Sequence, residues 1–132
     1  MSRYVLDTSA YSHFMRGEPE VVGLIDAAEW IGVPSIVIGE LWTGFLRGRR
    51  LRENEKELRD FLANAAVAEI DVTATEARSY ADLVIALRKA GTPVPSNDIW
   101  VAACAVTSGA SVVTYDSHFR NIRLAASIVL ER

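Results

Sequence analysis

Residues 4–7, Tyr4-Val5-Leu6-Asp7, form a short apolar run that ends in an acidic residue, and residues 111–116, Ser111-Val112-Val113-Thr114-Tyr115-Asp116, repeat that arrangement. Each run predicts a short strand with a carboxylate at its carboxyl end. Between them, short apolar runs alternate with longer helical patterns, which predicts an α/β fold with a mostly parallel, doubly wound sheet. Such sheets bind ligands beyond the carboxyl ends of their strands. We therefore expect Asp7 and Asp116 to face one site.

The rest of the chain supplies the other elements of this predicted sheet. Strands are predicted at residues 4–6, 30–33, 67–72, 111–115 and 127–130, and helices at 19–28, 35–46, 51–65, 74–89 and 96–108. Ser35 and Ser96 are predicted N-caps, and residues 73–76 match a capping box. Gly91 and Gly109 are predicted to end their helices. The inward face of the helix at 74–89 is predicted to consist of Ala77, Tyr80, Ala81, Val84 and Leu87.

Composition limits the classes of protein that this chain can be. Its 132 residues, half of them hydrophobic and 23% charged, predict one globular domain over 1–132. No apolar run approaches the ~20 residues of a membrane span, and no signal peptide is recognisable. The single cysteine, Cys104, lies among Ala and Val residues and is predicted to be a buried, inert thiol. These features favour a cytoplasmic protein without a membrane partner.

Four acidic residues carry the chemical prediction. They are Asp7, Asp116, Glu40 and Asp98. Glu40 lies in a predicted helix whose apolar residues indicate that it is buried on most sides, and Asp98 lies near the start of another predicted helix. Taken singly, Asp7 and Asp116 also fit turn residues, and Asp98 fits a charge that complements a helix dipole. Together they repel one another unless a cation or protons neutralise them. Mg²⁺ and Mn²⁺ prefer carboxylate oxygens and activate water for attack at phosphate, so no histidine base is required.

The net charge of −3 hides a concentration of arginine. Arg47, Arg49, Arg50 and Arg52 lie within six positions, and the guanidinium group suits forked contacts to phosphate or carboxylate. A solvated loop between two helices remains an alternative interpretation of this segment.

The chain resembles the PIN-domain nucleases, and within them the VapC toxins of toxin–antitoxin pairs. The resemblance covers nearly the whole chain and rests on four segments in order, at residues 4–11, 35–41, 97–103 and 114–119. It implies a PIN-like three-layer α/β/α sandwich with about five strands. It also implies an endoribonuclease that requires Mg²⁺ or Mn²⁺ and cleaves RNA such as tRNA or rRNA.

The same resemblance assigns roles to particular residues. Asp7, Glu40, Asp98 and Asp116 correspond to the family's catalytic, metal-binding acids. Thr8, Ser9, Asn97 and Thr114 are predicted to orient those ligands or to bind phosphate. Some relatives carry another acid where this chain has His118. The resemblance further implies a homodimer and a cognate VapB-type antitoxin, so the segment at residues 47–52 and His118 are candidate contacts for RNA or for that antitoxin.

The same residues also bear on three other functions. A receiver-like signalling domain requires paired acids after the first strand and a lysine after the last, but Thr8 follows Asp7 and no lysine lies beyond Lys89. Another metal-dependent phosphoesterase, acting on DNA or on small phosphates, remains an alternative. A non-catalytic module that keeps the fold is disfavoured by the intact acidic set.

Overall fold

The computed structural model describes residues 2–131 and has the alternating α/β order that the sequence predicts. The strands are β1 (Arg3–Leu6), β2 (Trp30–Pro34), β3 (Val67–Ile70), β4 (Ser111–Thr114) and β5 (Ser127–Val129). The helices are α1 (Thr8–Met15), α2 (Pro19–Asp26), α3 (Ser35–Arg47), α4 (Leu51–Leu62), α5 (Ala74–Ala90) and α6 (Ser96–Ser108), with a 3₁₀ turn at Ser117–Asn121.

The five strands form one parallel sheet in the order β3-β2-β1-β4-β5. The chain moves outward from β1 through β2 to β3 and then crosses back to β4, so the direction of strand addition reverses between β1 and β4. Right-handed crossovers place α1–α4 on one face and α5 and α6 on the other. In the register, Leu6 lies opposite Val113. The carboxyl ends of β1 and β4 therefore meet at the edge where doubly wound sheets bind ligands.

The core lies on both faces of the adjacent strands β1 and β4. Val5, Leu6, Val112 and Val113 are fully buried, as expected for parallel strands that are covered on both faces. Helix α6 lies between the sheet and α5, and its residues from 101 to 105 are all buried. Cys104 is among them, and burial raises the pKa of its thiol to about 11, which matches the expected inert cysteine.

Several local predictions were wrong. Helix α1 was not predicted. Ser35 and Ser96 do not cap their helices, because Pro34 and Pro95 occupy the N-cap positions and the serines are already helical. The capping box of α5 is confirmed, with Thr73 as the N-cap. Gly91 and Gly109 both take left-handed conformations after their helices, as predicted, with φ of 69° and 61°.

The predicted inward face of α5 is also partly wrong. Ala77 and Ala81 are exposed, whereas Glu76 and Leu83 are buried beside Leu87. The helix packs mainly on α6, so the buried stripe is narrow and is rotated by about one residue from the prediction. A small side chain such as alanine does not define which side of a helix faces the core.

None of the helices within residues 2–131 combines the length and the apolar character required to cross a bilayer.

Gly32 makes a close approach in the centre of the sheet that can be tested by substitution. An added Cβ would lie 2.5 Å from the Ile70 Cδ1 atom and 2.5 Å from the Trp30 ring. We expect Gly32→Ala to lower the free energy of unfolding by about 1–3 kcal/mol, because an overpacked core must shift side chains. Urea denaturation followed by circular dichroism measures this difference.

Gly44→Ala is the matched control, since a Cβ at that helical position in α3 meets nothing within 4 Å. It should raise stability by up to about 1 kcal/mol through helix propensity. Equal effects of the two substitutions would show that the space around Gly32 is not tight.

Candidate active site

Asp7 follows the last residue of β1 and caps the first turn of α1. Its Oδ1 atom accepts hydrogen bonds from the Ala10 amide at 2.9 Å and from the Ser9 hydroxyl at 2.7 Å, and its Oδ2 atom accepts one from Thr114 at 2.5 Å. The side chain is 6% exposed, and burial raises its pKa above the usual value although these hydrogen bonds oppose the rise. The strand-to-helix junction therefore fixes this carboxylate in one orientation.

Thr114 and Ser9 join the ends of β1 and β4. The Thr114 hydroxyl accepts a hydrogen bond from the Asp116 amide at 2.9 Å, and the Ser9 hydroxyl accepts one from the Tyr115 amide at 2.9 Å. Both hydroxyls also donate to Asp7. Each is thus used as donor and acceptor, so the two strand ends and the acidic side chain form one connected network.

Asp98, Asp116 and His118 form the tightest cluster of potential metal ligands among residues 2–131. Each offers one ligand atom, and these atoms all lie within 4.8 Å of one another. The His118 Nδ1 atom lies 3.0 Å from the Asp116 Oδ1 atom and 3.9 Å from the Asp98 Oδ2 atom. The Asp116 side chain accepts a hydrogen bond from the His118 amide at 2.9 Å and so caps the 3₁₀ turn. This turn places the His118 imidazole beside the carboxylates.

Glu40 lies at the exposed rim of this acidic region. Its two oxygens accept hydrogen bonds from Thr8 at 2.7 Å and from Asn97 at 3.3 Å. The prediction that its helix is buried on most sides was wrong, because only Val37 and Leu41 of α3 are fully buried and Glu40 itself is exposed. An exposed carboxylate on this rim is accessible to a ligand.

The electrostatics of the region are dominated by unneutralised negative charge. The pKa of Asp98 is raised to about 6, first by burial, then by the charges of Asp116, Asp7 and Glu40. His118 alone opposes this rise. Within residues 2–131, the recorded salt bridges of these four acids involve no lysine or arginine. Carboxylate oxygens with one imidazole nitrogen are a donor set that fits Mn²⁺ well and Mg²⁺ through its oxygens.

The structure therefore brings the four predicted acids into one electrostatically coupled region, but not into one equal set of ligands. Asp7 and Glu40 lie outside the group of atoms within 4.8 Å. Asp7 acts on Asp98 through charge and is held by Ser9 and Thr114, while Glu40 is held by Thr8 and Asn97.

Sequence reasoning did not place His118 beside the carboxylates. Its position two residues after Asp116, in a turn that Asp116 itself caps, is the signal that indicates the contact. The other histidine, His13, is buried in α1, where its Nδ1 atom lies 2.8 Å from the Ser9 carbonyl oxygen and its ring stacks on Tyr115 at 3.8 Å.

The arginine segment at residues 47–52 is exposed and begins at the carboxyl end of α3. Arg50 lies 2.5 Å from Glu53 and 3.8 Å from Glu57, so its charge is partly neutralised within the chain. Arg47, Arg49 and Arg52 have no recorded salt bridge within residues 2–131. Glu40 and Arg47 are seven residues apart on α3, which is about 10 Å along the helix axis.

The raised pKa of Asp98 predicts a pH-dependent gain of stability in Asp98→Asn. The pKa of Asp98 is about 6 in the folded chain and 3.8 in the unfolded chain, so the folded state is favoured when the carboxyl group is protonated. The wild type therefore loses stability as the pH rises from about 3.8 through about 6, whereas the asparagine variant does not. With EDTA present, we expect the variant to be more stable by about 1–2 kcal/mol near pH 7, after allowance for solvent screening. Thermal unfolding between about pH 4 and pH 8 measures the difference, which should shrink toward zero at the acidic end.

Asp82→Asn is the control for this series, because Asp82 pairs with Arg78 on the exposed face of α5. Its effect should stay within about 0.5 kcal/mol at every pH. A melting temperature of Asp98→Asn below that of the wild type in EDTA would contradict the repulsion between Asp98 and the other three acids.

Comparison with known proteins places this geometry in a family. Residues 4–124 match the family model of the PIN domain. The plasmid stability protein StbB of Pseudomonas syringae is 38% identical over 86% of this chain and 87% of its own length. Ribonuclease VapC5 of Mycobacterium tuberculosis is 29% identical over 97% of this chain and 93% of its own.

Solved structures show the same fold. A crystal structure of VapBC2 from Rickettsia felis, bound to promoter DNA, contains a chain with a TM-score of 0.86 and 22% identity, covering 98% of this chain and 99% of that chain. VapBC-5 of Mycobacterium tuberculosis aligns over the full length of both chains with a TM-score of 0.75 and 25% identity. The five-stranded parallel sheet, the acids at its central strand ends and the match over residues 4–124 together show that this chain belongs to the PIN-domain family.

Proposed function

We propose that this chain is the toxin of a toxin–antitoxin pair, a metal-dependent endoribonuclease that hydrolyses phosphodiester bonds in RNA such as tRNA or rRNA and is neutralised by a cognate VapB-type antitoxin in the cytoplasm. The observation that carries the proposal is the acidic region at the ends of β1 and β4. Relatives that match along most of the chain are named ribonucleases, and several solved structures with this fold are toxin–antitoxin complexes.

A divalent cation, Mg²⁺ or Mn²⁺, is proposed to be held by Asp98, Asp116 and His118. The negative charges of Asp7 and Glu40 would attract the cation to this cluster. Once bound, such an ion supplies electrostatic stabilisation to the phosphate and lowers the pKa of the attacking water. The fit rests on the clustered ligand atoms and on the absence of a lysine or arginine that would neutralise the acids within residues 2–131.

The remaining polar residues are proposed to fix the reacting groups. Asp7 is immobilised by three hydrogen bonds and holds the β1 and β4 ends in register. Glu40 is held by hydrogen bonds from Thr8 and Asn97 and is open to solvent, and it is proposed to orient the attacking water. Positioning of this kind contributes to catalysis because the reacting groups need not be ordered again at each turnover.

The proposed activity predicts RNA cleavage by the purified chain, free of any partner, when Mn²⁺ or Mg²⁺ is added to total cellular RNA. Asp7→Asn, Asp98→Asn and EDTA should each reduce the cleavage rate by a factor of about 100 or more, because electrostatic stabilisation of the transition state is lost. Gel analysis and sequencing of the new RNA ends measure the effect.

Single-stranded DNA and small phosphodiesters are the competing substrates in the same assay. Faster cleavage of DNA than of RNA would replace the proposed function by the other phosphoesterase activity. Lys56→Gln, which breaks only an exposed pair with Asp60 on α4, should leave the rate unchanged.

The segment at residues 47–52 is proposed to contact either RNA or the antitoxin. In Arg47→Gln with Arg49→Gln, weaker RNA binding with a smaller dependence on salt would assign the segment to phosphate contacts. Weaker antitoxin binding with unchanged RNA affinity would assign it to the partner protein. Fluorescence anisotropy with labelled RNA, and titration calorimetry with the antitoxin, measure the two affinities. If both affinities are unchanged, the segment is a solvated loop.

A further inference from the structure

Two neighbouring cavities lie beside the connection between α5 and α6. Each has a volume of about 500 Å³, and both are lined in part by Leu87 and Thr92. Volumes of ~300–1,000 Å³ are typical of sites for small molecules and for parts of larger ligands. The pair is therefore large enough to take more than one group from a chain-like ligand.

Both cavities lie at the same end of the sheet as the acidic region. A hydrogen bond of 2.8 Å from Thr107 to Glu76 joins the last turns of α6 to the first turn of α5, so the two helices are antiparallel. Their connection, residues 91–95, consequently lies where α6 begins. Ser96 lines the first cavity, and Asp98 lies two residues further along α6 with its side chain on the other side of the helix.

The lining of the two cavities carries only positive charge. Arg88 lines the first, Arg120 and Arg123 line the second, and no acidic residue lines either. The recorded salt bridge among these arginines is an exposed pair of Arg120 with Glu131 at 4.0 Å, which neutralises little. In a chain with a net charge of −3, this local excess of arginine is complementary to a polyanion.

The walls between these arginines are apolar. Val84 and Leu87 line the first cavity, Ile122 and Leu124 line the second, and Leu124 is 63% exposed. Proteins that bind single-stranded RNA combine cationic side chains for the phosphates with apolar or aromatic surfaces for bases that are turned out of the strand. The two cavities and their arginines have that combination.

Thr92 adds a polar group where the cavities meet. Its hydroxyl oxygen is buried and has no hydrogen-bond partner within residues 2–131. Rotation about χ1 moves a threonine hydroxyl to a neighbouring staggered position. A ligand group that reached this hydroxyl from one of the cavities would satisfy a polar group that is otherwise buried without a partner.

We propose that the two cavities and Arg88, Arg120 and Arg123 bind the nucleotides of single-stranded RNA that flank the phosphate held at the acidic region. This inference rests on the proposed ribonuclease function and adds a substrate-binding surface to it. The bases enter the cavities, the arginines contact the adjacent phosphates, and Thr92 hydrogen-bonds a base edge.

The test is binding of a labelled single-stranded oligouridylate, measured by fluorescence anisotropy in EDTA so that no cleavage occurs. Arg88→Gln with Arg123→Gln should weaken binding by about tenfold or more at low salt. It should also reduce the slope of log affinity against log salt by about 0.7 for each lost phosphate contact. Arg59→Gln with Arg78→Gln removes two arginines that pair with Glu55 and Asp82. This control has the same change in net charge and should bind as the wild type does.

Equal affinities of the two double variants would overturn the proposal, since the effect would then be one of net charge alone. Thr92→Val separates the cavities from the arginines, because it removes the hydroxyl and keeps the shape. Its melting temperature should be equal or higher, while its RNA affinity falls with an unchanged salt slope. Wild-type affinity in this variant would overturn the placing of a base beside Thr92.

Failure of this proposal can be told from failure of the proposed function. If the wild type cleaves RNA with Mn²⁺ but Arg88→Gln with Arg123→Gln binds and cleaves as well, only the binding surface is refuted. If the wild type cleaves no RNA, the ribonuclease function fails first. A further outcome is that the double variant keeps its RNA affinity while its mass in light scattering changes or its binding to the antitoxin is lost. Either result would show that the surface is a protein interface and would overturn the proposal.

Discussion

The side-by-side packing of β1 and β4 is the constraint on which the rest of this site depends. These strands are distant in sequence, yet Asp7 and Thr114 come into direct contact because both strands end at the same edge of the sheet. The hydroxyl groups of Ser9 and Thr114 then link the acid to the chain after β4. A strand order that separated β1 from β4 would leave the same residues without a common site.

The repulsion among the acids of this site lowers the stability of the fold. Burial and three neighbouring negative charges raise the pKa of Asp98, and only His118 lowers it. Such local conflict between stability and charge is typical of functional sites, where a ligand resolves it. The buried strands and the apolar α6 supply the rigid support for it, since these elements contribute most of the fully buried core.

Much of this arrangement follows from the sequence, and the misses have physical causes. Asp7 and Asp116 were placed correctly because a strand pattern followed by an acid defines the carboxyl end of a strand. The apolar neighbours of Glu40 predict a helix that is buried on most sides, but they do not reveal which side of the helix meets the sheet, and Glu40 itself is exposed. His118 reaches the carboxylates only through a 3₁₀ turn capped by Asp116, a local geometry that hydrophobic periodicity does not encode. The four acids themselves predicted a divalent metal and a reaction at phosphate, whereas the RNA and antitoxin expectations came from the family resemblance.

The α5–α6 pair is fastened at the end remote from the acids, where Glu76 accepts hydrogen bonds from Thr73 and Thr107. At the other end, Pro93 and Pro95 restrict the backbone of the short connection. A segment that is already stiff loses little conformational entropy when it is occupied. The hairpin is thus preorganised, and a strand laid along it need not first freeze a mobile loop.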